Sequence, residues 1–288
     1  MKDDKPKILT ITDYTGELVD EAAREILNYT PQLFRKYDNV QPIRPKPWAS
    51  AVLLNVDNIR FLITAGHVLQ ENGNDINPED IGVMIGDTFY ILNGELKFVN
   101  PTVNKTNDRI DLAVWRLDND VANELETRYK FLEISQVDID HNVSTEPRYL
   151  LVGFPVSQSK IQPTTSTIRV APFIFLTEES EKKYYAALDF EEHSNIVLDY
   201  RKAKIKSFDT KLPGQGPDTY GVSGSGLWYL PSLIVAEGQT VPFKLTGIMI
   251  EWRRDKSAVV ATRIHIATEI IRKEFGLNLP QSKITKVN

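Results

Sequence analysis

The segment Phe61-Leu62-Ile63-Thr64-Ala65-Gly66-His67-Val68 begins as an apolar run, narrows to two small residues and then presents a histidine. Phe, Leu and Ile in succession favour a β-strand. Ala65 and Gly66 leave room for the His67 imidazole to turn off the strand end toward a cleft. Only four histidines occur in the chain, and the other three, His141, His193 and His265, sit in polar or helical surroundings. Alone, the segment fits better a partly exposed histidine at the end of a strand.

Two later segments change its weight. In Asp108-Arg109-Ile110-Asp111-Leu112-Ala113-Val114-Trp115-Arg116-Leu117, Ile110, Leu112 and Val114 alternate with Asp111, Ala113 and Trp115, the period of two that a strand requires. An acid in such a run is costly to bury unless it is paired, and a histidine N–H is a suitable partner; an edge-strand aspartate facing water is the plainer reading. In Tyr220-Gly221-Val222-Ser223-Gly224-Ser225-Gly226-Leu227-Trp228, glycines near Ser223 permit a tight backbone that presents the hydroxyl. The same backbone can turn the N–H groups of Gly221 and Ser223 toward one point, as an oxyanion hole needs. The nucleophile elbow of α/β-hydrolases does not fit, because the position two after Ser223 is Ser225 rather than glycine.

Around these segments the chain is β-rich. Ala51–Val56, Arg60–Ala65, Ile81–Ile85, Phe89–Leu92 and Asp111–Leu117 read as a first set of strands. Arg148–Val152, Thr167–Phe175, Tyr184–Leu188, Asn195–Asp199, Leu227–Leu230, Phe243–Ile250 and Ala258–Thr262 read as a second. Polar, acidic Asp118–Asn142 links the sets with a helical turn, and Ile264–Phe275 closes the chain as a helix with Ile266, Ile270 and Phe275 on one face. Before Trp48, Asp13–Asn28 carries Leu18, Ala22 and Ile26 at helical spacing, with Thr15 as cap, and Gln41–Pro47 is an extended proline-rich connector. The expected division is an N-terminal helical extension and linker over 1–47, a first β-unit over 48–130 and a second over 131–288.

The 288 residues are 41% hydrophobic, enough for a real core. Cysteine is absent, which excludes disulfides, thiolate metal sites and a Cys nucleophile. A net charge of −5 gives no general attraction to nucleic acid or anionic membrane, and the basic run Arg201–Lys206 reads as a solvated loop. No apolar stretch reaches the roughly 18 residues of a membrane span, and no signal core follows Met1, so a cytoplasmic protein is expected.

The ordered set His67, Asp111, Ser223 resembles the trypsin-like (chymotrypsin-fold) serine peptidases, bacterial intracellular type. That family marks its histidine with Thr-Ala-Ala-His or a near variant, its acid with Asp-hydrophobic-Ala-hydrophobic, and its serine with Gly-x-Ser-Gly-Gly/Ser. Tyr149–Pro155 looks like the strand opening the family's second barrel, and Leu245–Ile250 like the strand that pairs with substrate. The likeness covers roughly residues 49 to 275. It implies an all-β fold of two six-stranded antiparallel barrels, with the N-terminal helical extension and C-terminal helix added. It implies a serine endopeptidase in which Ser223 attacks, His67 moves the proton, Asp111 holds His67, and the Gly221 and Ser223 N–H groups bind the oxyanion. Asp218, Tyr220, Ile250 and Trp252 are the expected substrate-binding residues, with Trp252 either narrowing the side-chain pocket or simply packing on the neighbouring loop. Val222 stands where secreted members carry the aspartate that pairs with a new N-terminus, so activation by that route is not expected. No cofactor or metal is implied. The expected partners are a protein or peptide substrate and a regulatory protein docking on residues 1–47. The competing reading is a catalytically silent protease-fold binding module.

Overall fold

A computed structural model describes residues 7–8, 17–37, 45–71, 74–99, 109–142, 148–161, 168–169, 171–201, 205–206, 213–214, 216–232, 234–235 and 239–284. The Thr15 cap, most of the proline-rich connector (41–44) and the middle of the basic run (202–204) lie outside them. In chain order the main elements begin with α1 (Glu17–Leu27), β1 (Gln32–Arg35), β2 (Lys46–Ser50), β3 (Val52–Val56), β4 (Ile59–Ala65), β5 (Ile81–Ile85), β6 (Thr88–Ile91) and β7 (Gly94–Phe98). They continue with β8 (Leu112–Leu117), α2 (Asn119–Glu126), β9 (Leu132–Glu133), β10 (Tyr149–Gly153), β11 (Phe173–Thr177), α3 (Lys183–Leu188) and β12 (Asn195–Asp199). The last are β13 (Gly226–Tyr229), β14 (Lys244–Arg253), β15 (Ala258–Arg263) and α4 (Ile264–Glu274).

The chain is mostly β. Hydrogen bonding joins the first-half strands into a five-stranded sheet, β7-β8-β4-β3-β9, and a four-stranded sheet, β2-β1-β5-β6. The β9–β3 pairing is parallel, so the first half is not wholly antiparallel. The second half forms one six-stranded antiparallel sheet, β11-β10-β13-β14-β15-β12. It curls until its edge strands meet at one end, where Glu179 bridges Leu198 and the Ser180 N–H reaches the Val197 C=O at 2.8 Å.

Three differences from the sequence reading have physical causes. Tyr184–Leu188 is expected as a strand but forms α3. Tyr185 and Leu188, three apart, are both buried, Ala186 and Ala187 favour helix, and Asp189 ends it in the left-handed region at φ +59°. Strand β1 is missed altogether, and β2 starts inside the expected connector; Pro47 is tolerated because β2 is an edge strand with a bulge opposite Leu33/Phe34. In α4 the deepest positions are Ile264, Ala267 and Ile271, whereas Ile266 and Phe275 lie at the margin of the core.

Helix α1 is part of the body. Val19, Ala22, Ala23 and Ile26 pack in one core with Val52 and Ile63 of the five-stranded sheet, Leu150 and Val152 of the six-stranded sheet, and Ile264 of α4. This shared core lies between the halves and fixes how the ends of β4, β8 and β14 face one another. Among the described residues no helix is long and apolar enough to cross a membrane.

Candidate active site

Strands β4 and β8 are antiparallel neighbours, with Ala65 opposite Leu112 and Ile63 opposite Val114. One step past each strand end the register brings Gly66 and Asp111 together, and the Gly66 N–H donates to the Asp111 C=O at 3.1 Å. Gly66–Leu69 then winds into a 3-10 turn that folds His67 back over the acid. The His67 N–H donates to Asp111 Oδ1 at 2.8 Å, and His67 Nδ1 meets Asp111 Oδ2 at 2.5 Å. The aspartate is 2% exposed, so its charge depends on these bonds, while His67 keeps a face to solvent.

The second half clamps the backbone that leads into Asp111. Asn195 Nδ2 donates to the Arg109 C=O at 2.8 Å, and Thr262 Oγ1 donates to the Ile110 C=O at 2.9 Å. Arg109 itself pairs with Asp189 and lies over the Phe190 ring.

Ser223 sits half-exposed in a turn between β13 and the loop that precedes it. Gly221 and Gly224 have φ of +93° and +87°, a region that a side chain strains. At Gly224 a Cβ would lie 2.1 Å from the Ser50 C=O oxygen and from Thr64 Oγ1, so the turn presses directly on β4, the strand that leads into the His67 turn. Ser50 holds the turn from the other half. Its N–H donates to the Ser223 C=O at 3.0 Å, its Oγ donates to the Gly221 C=O at 2.8 Å, and that Oγ accepts from the Phe154 N–H at 2.9 Å. Thr64 Oγ1 in turn donates to the Ser50 C=O at 2.9 Å.

Peptide planarity fixes two further directions. The Tyr220 C=O accepts from the Val156 N–H at 2.8 Å, so the Gly221 N–H, on the opposite side of the same trans peptide, points away from Val156. The Val222 C=O accepts from the Ser225 N–H at 3.0 Å, which likewise turns the Ser223 N–H outward. Neither N–H donates to a protein acceptor among the described residues. The side chain of His67 bonds to Asp111, and no hydrogen bond joins Ser223 Oγ to His67 among the described residues.

The expected substrate-binding residues are placed differently from one another. Asp218 and Tyr220 are exposed on the loop before Gly221. Ile250 is 4% exposed and packs in a core that draws on both halves. Trp252 is half-buried, edge-on to Tyr200 at 5.8 Å. Tyr200 donates to the Pro217 C=O at 2.9 Å and packs with Val222, Met249 and Val259, so aromatic and branched side chains fill the space behind the Ser223 turn. Burial, reinforced by the Asp218 charge, pushes the Tyr200 phenol up and keeps it a neutral donor. Burial also raises the Glu251 carboxyl, against the pull of Arg253, Arg109 and His67.

Ser50 and Thr64 escape a reading for nucleophiles and bases. Their one signal in the sequence is a hydroxyl inside an apolar strand, which burial obliges to find a partner. No group of three His, Cys, Asp or Glu able to hold a metal occurs among the described residues. No family model matches the chain, and no curated protein matches it in sequence.

Proposed function

We propose that the chain is a serine endopeptidase of the trypsin-like kind, with paired barrels meeting at His67, Asp111 and Ser223. The observation that carries this reading is the contact of His67 Nδ1 with the buried Asp111 carboxylate at 2.5 Å. A carboxylate on Nδ1 keeps the proton there and leaves Nε2 with its lone pair, the form a general base requires. Ser223 Oγ attacks a peptide carbonyl as Nε2 takes its proton. The oxyanion settles on the N–H groups of Gly221 and Ser223, each donor contributing about 3 kcal/mol in comparable sites. The protonated His67 then gives that proton to the leaving amine, and water repeats the sequence to free the acid.

Substrate alignment has a natural template in β14. Beyond Met249 this strand pairs with β15 on one side, while its other edge carries no strand among the described residues. An extended peptide can add there by backbone hydrogen bonds. A chain that holds its sheets without a single cysteine suits a reducing compartment such as the cytoplasm.

The missing Ser223–His67 hydrogen bond favours a second reading, a silent binding module on the same scaffold. A fluorophosphonate probe separates the two. Covalent labelling of the full chain, lost in Ser223→Ala and in His67→Ala while circular dichroism is unchanged, is expected. An unlabelled but folded wild-type protein overturns the peptidase reading.

A further inference from the structure

The backbone ahead of Asp111 is gripped by the opposite half of the molecule. The β4–β8 ladder ends at the pair Ala65–Leu112, so Asp111 lies one residue past the last paired position, where strand ends fray. Two donors hold the carbonyls just before it. Asn195 Nδ2 donates to the Arg109 C=O at 2.8 Å, and Thr262 Oγ1 donates to the Ile110 C=O at 2.9 Å. Asn195 and Thr262 are direct cross-strand partners in the β12–β15 ladder. The side chains of such a pair start about 5 Å apart on one face, a spacing that suits two successive carbonyls in a bend. Residues 109 and 110 form that bend before β8 begins.

Both donors are preset. Asn195 and Thr262 are fully buried, and Asn195 Oδ1 accepts from Ser194 Oγ at 2.7 Å, which turns the Nδ2 end of the amide toward Arg109. The Asn195 N–H donates to the Glu191 C=O at 2.8 Å. Arg263, next to Thr262, ties down the same turn. Its N–H donates to the Ser194 C=O at 2.8 Å and its Nε to the Glu192 C=O at 2.7 Å. Arg109 adds a hold of its own, with Nη1 donating to the Leu188 C=O at the end of α3 at 2.9 Å.

We propose that Asn195 and Thr262 are positioning residues for the Asp111 carboxylate. By fixing the two peptides before Asp111 they hold its carboxylate against His67 Nδ1, so one half of the molecule orients the acid that the other half carries. The proposal deepens the peptidase reading and rests on it only for the work His67 does. Each bond supplies a modest restraint, and loss of both lets the strand end swing by the fraction of an ångström that matters for proton transfer.

The test compares three full-length proteins with wild type. Thr262→Val keeps the shape of the side chain and removes its hydroxyl, Thr262→Ser keeps the hydroxyl, and Asn195→Ala combined with Thr262→Val removes both donors. Two readouts are taken where circular dichroism matches wild type: the rate of fluorophosphonate labelling, and the NMR line of the His67 Nδ1 proton, assigned by its loss in His67→Ala. Labelling is expected to slow about threefold in Thr262→Val and about thirtyfold in the double variant, with Thr262→Ser near wild type. The Nδ1 line, far downfield in the wild type, is expected to move upfield and broaden in the same order, which a general loss of stability would not cause in folded molecules. An unmoved line with unchanged labelling in the double variant overturns the proposal, as does a Thr262→Ser protein as impaired as Thr262→Val. If the double variant does not fold, the Thr262→Val and Thr262→Ser comparison decides alone. The line is also read through the series in a Ser223→Ala background. A line that follows the series without labelling of the wild type sinks only the peptidase chemistry, and labelling with an unmoved line sinks only the positioning.

Discussion

The His67–Asp111 pair and the Ser223 turn are linked through Thr64 and Ser50, yet they are held in different ways. The pair is set mainly by its own ladder: once Ala65 lies opposite Leu112, Gly66 and Asp111 meet, with Asn195 and Thr262 of the second half bracing the backbone before Asp111. The turn is held from outside. Its shape depends on two glycines at positive φ and on Ser50, a residue of the other half that reaches three backbone groups around it. Strand register is robust to side-chain change, whereas a borrowed clamp fails when one hydroxyl is lost. The His67–Asp111 contact should therefore tolerate the loss of one outside brace better than the Ser223 turn tolerates the loss of the Ser50 hydroxyl.

The sharpest test of the proposed chemistry removes the shared members. Ser223→Ala or His67→Ala is expected to lower kcat on a fluorogenic peptide by about a millionfold, and Asp111→Asn by about ten-thousandfold, with little change in melting temperature. A Ser223→Ala protein that still cleaves breaks the comparison at its root. Gly224→Ala tests the turn alone. Its Cβ meets backbone and Thr64 at 2.1 Å, so labelling of Ser223 should fall at least about a hundredfold, with a loss of about 1–3 kcal/mol in urea unfolding. A fully active, fully stable Gly224→Ala protein shows the turn to be loose.

Ser50→Ala asks whether the clamp acts across the halves. It strips a hydrogen bond from the Gly221 C=O and the Phe154 N–H in a fully buried setting, which costs about 1–3 kcal/mol, and kcat should fall while KM for a short substrate holds. Ser50→Thr, which restores the hydroxyl, should recover part of the rate if its extra methyl is accommodated.

A smaller effect is expected from His265 in α4, outside both regions. Burial, with Arg263 and His193 nearby, pushes its pKa down to about 4, so it stays neutral in the folded chain. Unfolded, it takes up a proton near its ordinary value of about 6.5. Protonation thus favours the unfolded state: its contribution is complete above about pH 6.5 and is lost as pH falls toward 4, amounting to at most about 3 kcal/mol. The stability of His265→Leu should fall less steeply than that of wild type between pH 6.5 and pH 4.5, and identical slopes would show that His265 is not the group involved.

Much of this contrast explains what a reader of the sequence can and cannot see. Apolar alternation through Ile110–Leu117 and the small residues before His67 mark both strands and their ends, and the register follows from them. The β-rich class is equally visible. The turn leaves a glycine pattern but not its support, because Ser50 acts at a distance in sequence and looks like any serine in a strand. Strand β1 offers only Gln-Leu-Phe-Arg, too short and too polar at its ends to rise above its neighbours. Helix α3 misleads for the reverse reason, since two tyrosines carry strand propensity while burial at a spacing of three decides for helix.

Helix α1 carries a consequence for the order in which the chain acquires its structure. Its apolar face is sealed partly by Leu150 and Val152, more than a hundred residues later in the sequence. During synthesis that face leaves the ribosome long before its cover exists, and the first half cannot close its core until the second has been made. Folding is therefore tied to long-range closure rather than to sequential completion of two independent units. A ribosome stalled midway would hold a chain with a bare helix, and the cleft would come into being only when the last strands arrive.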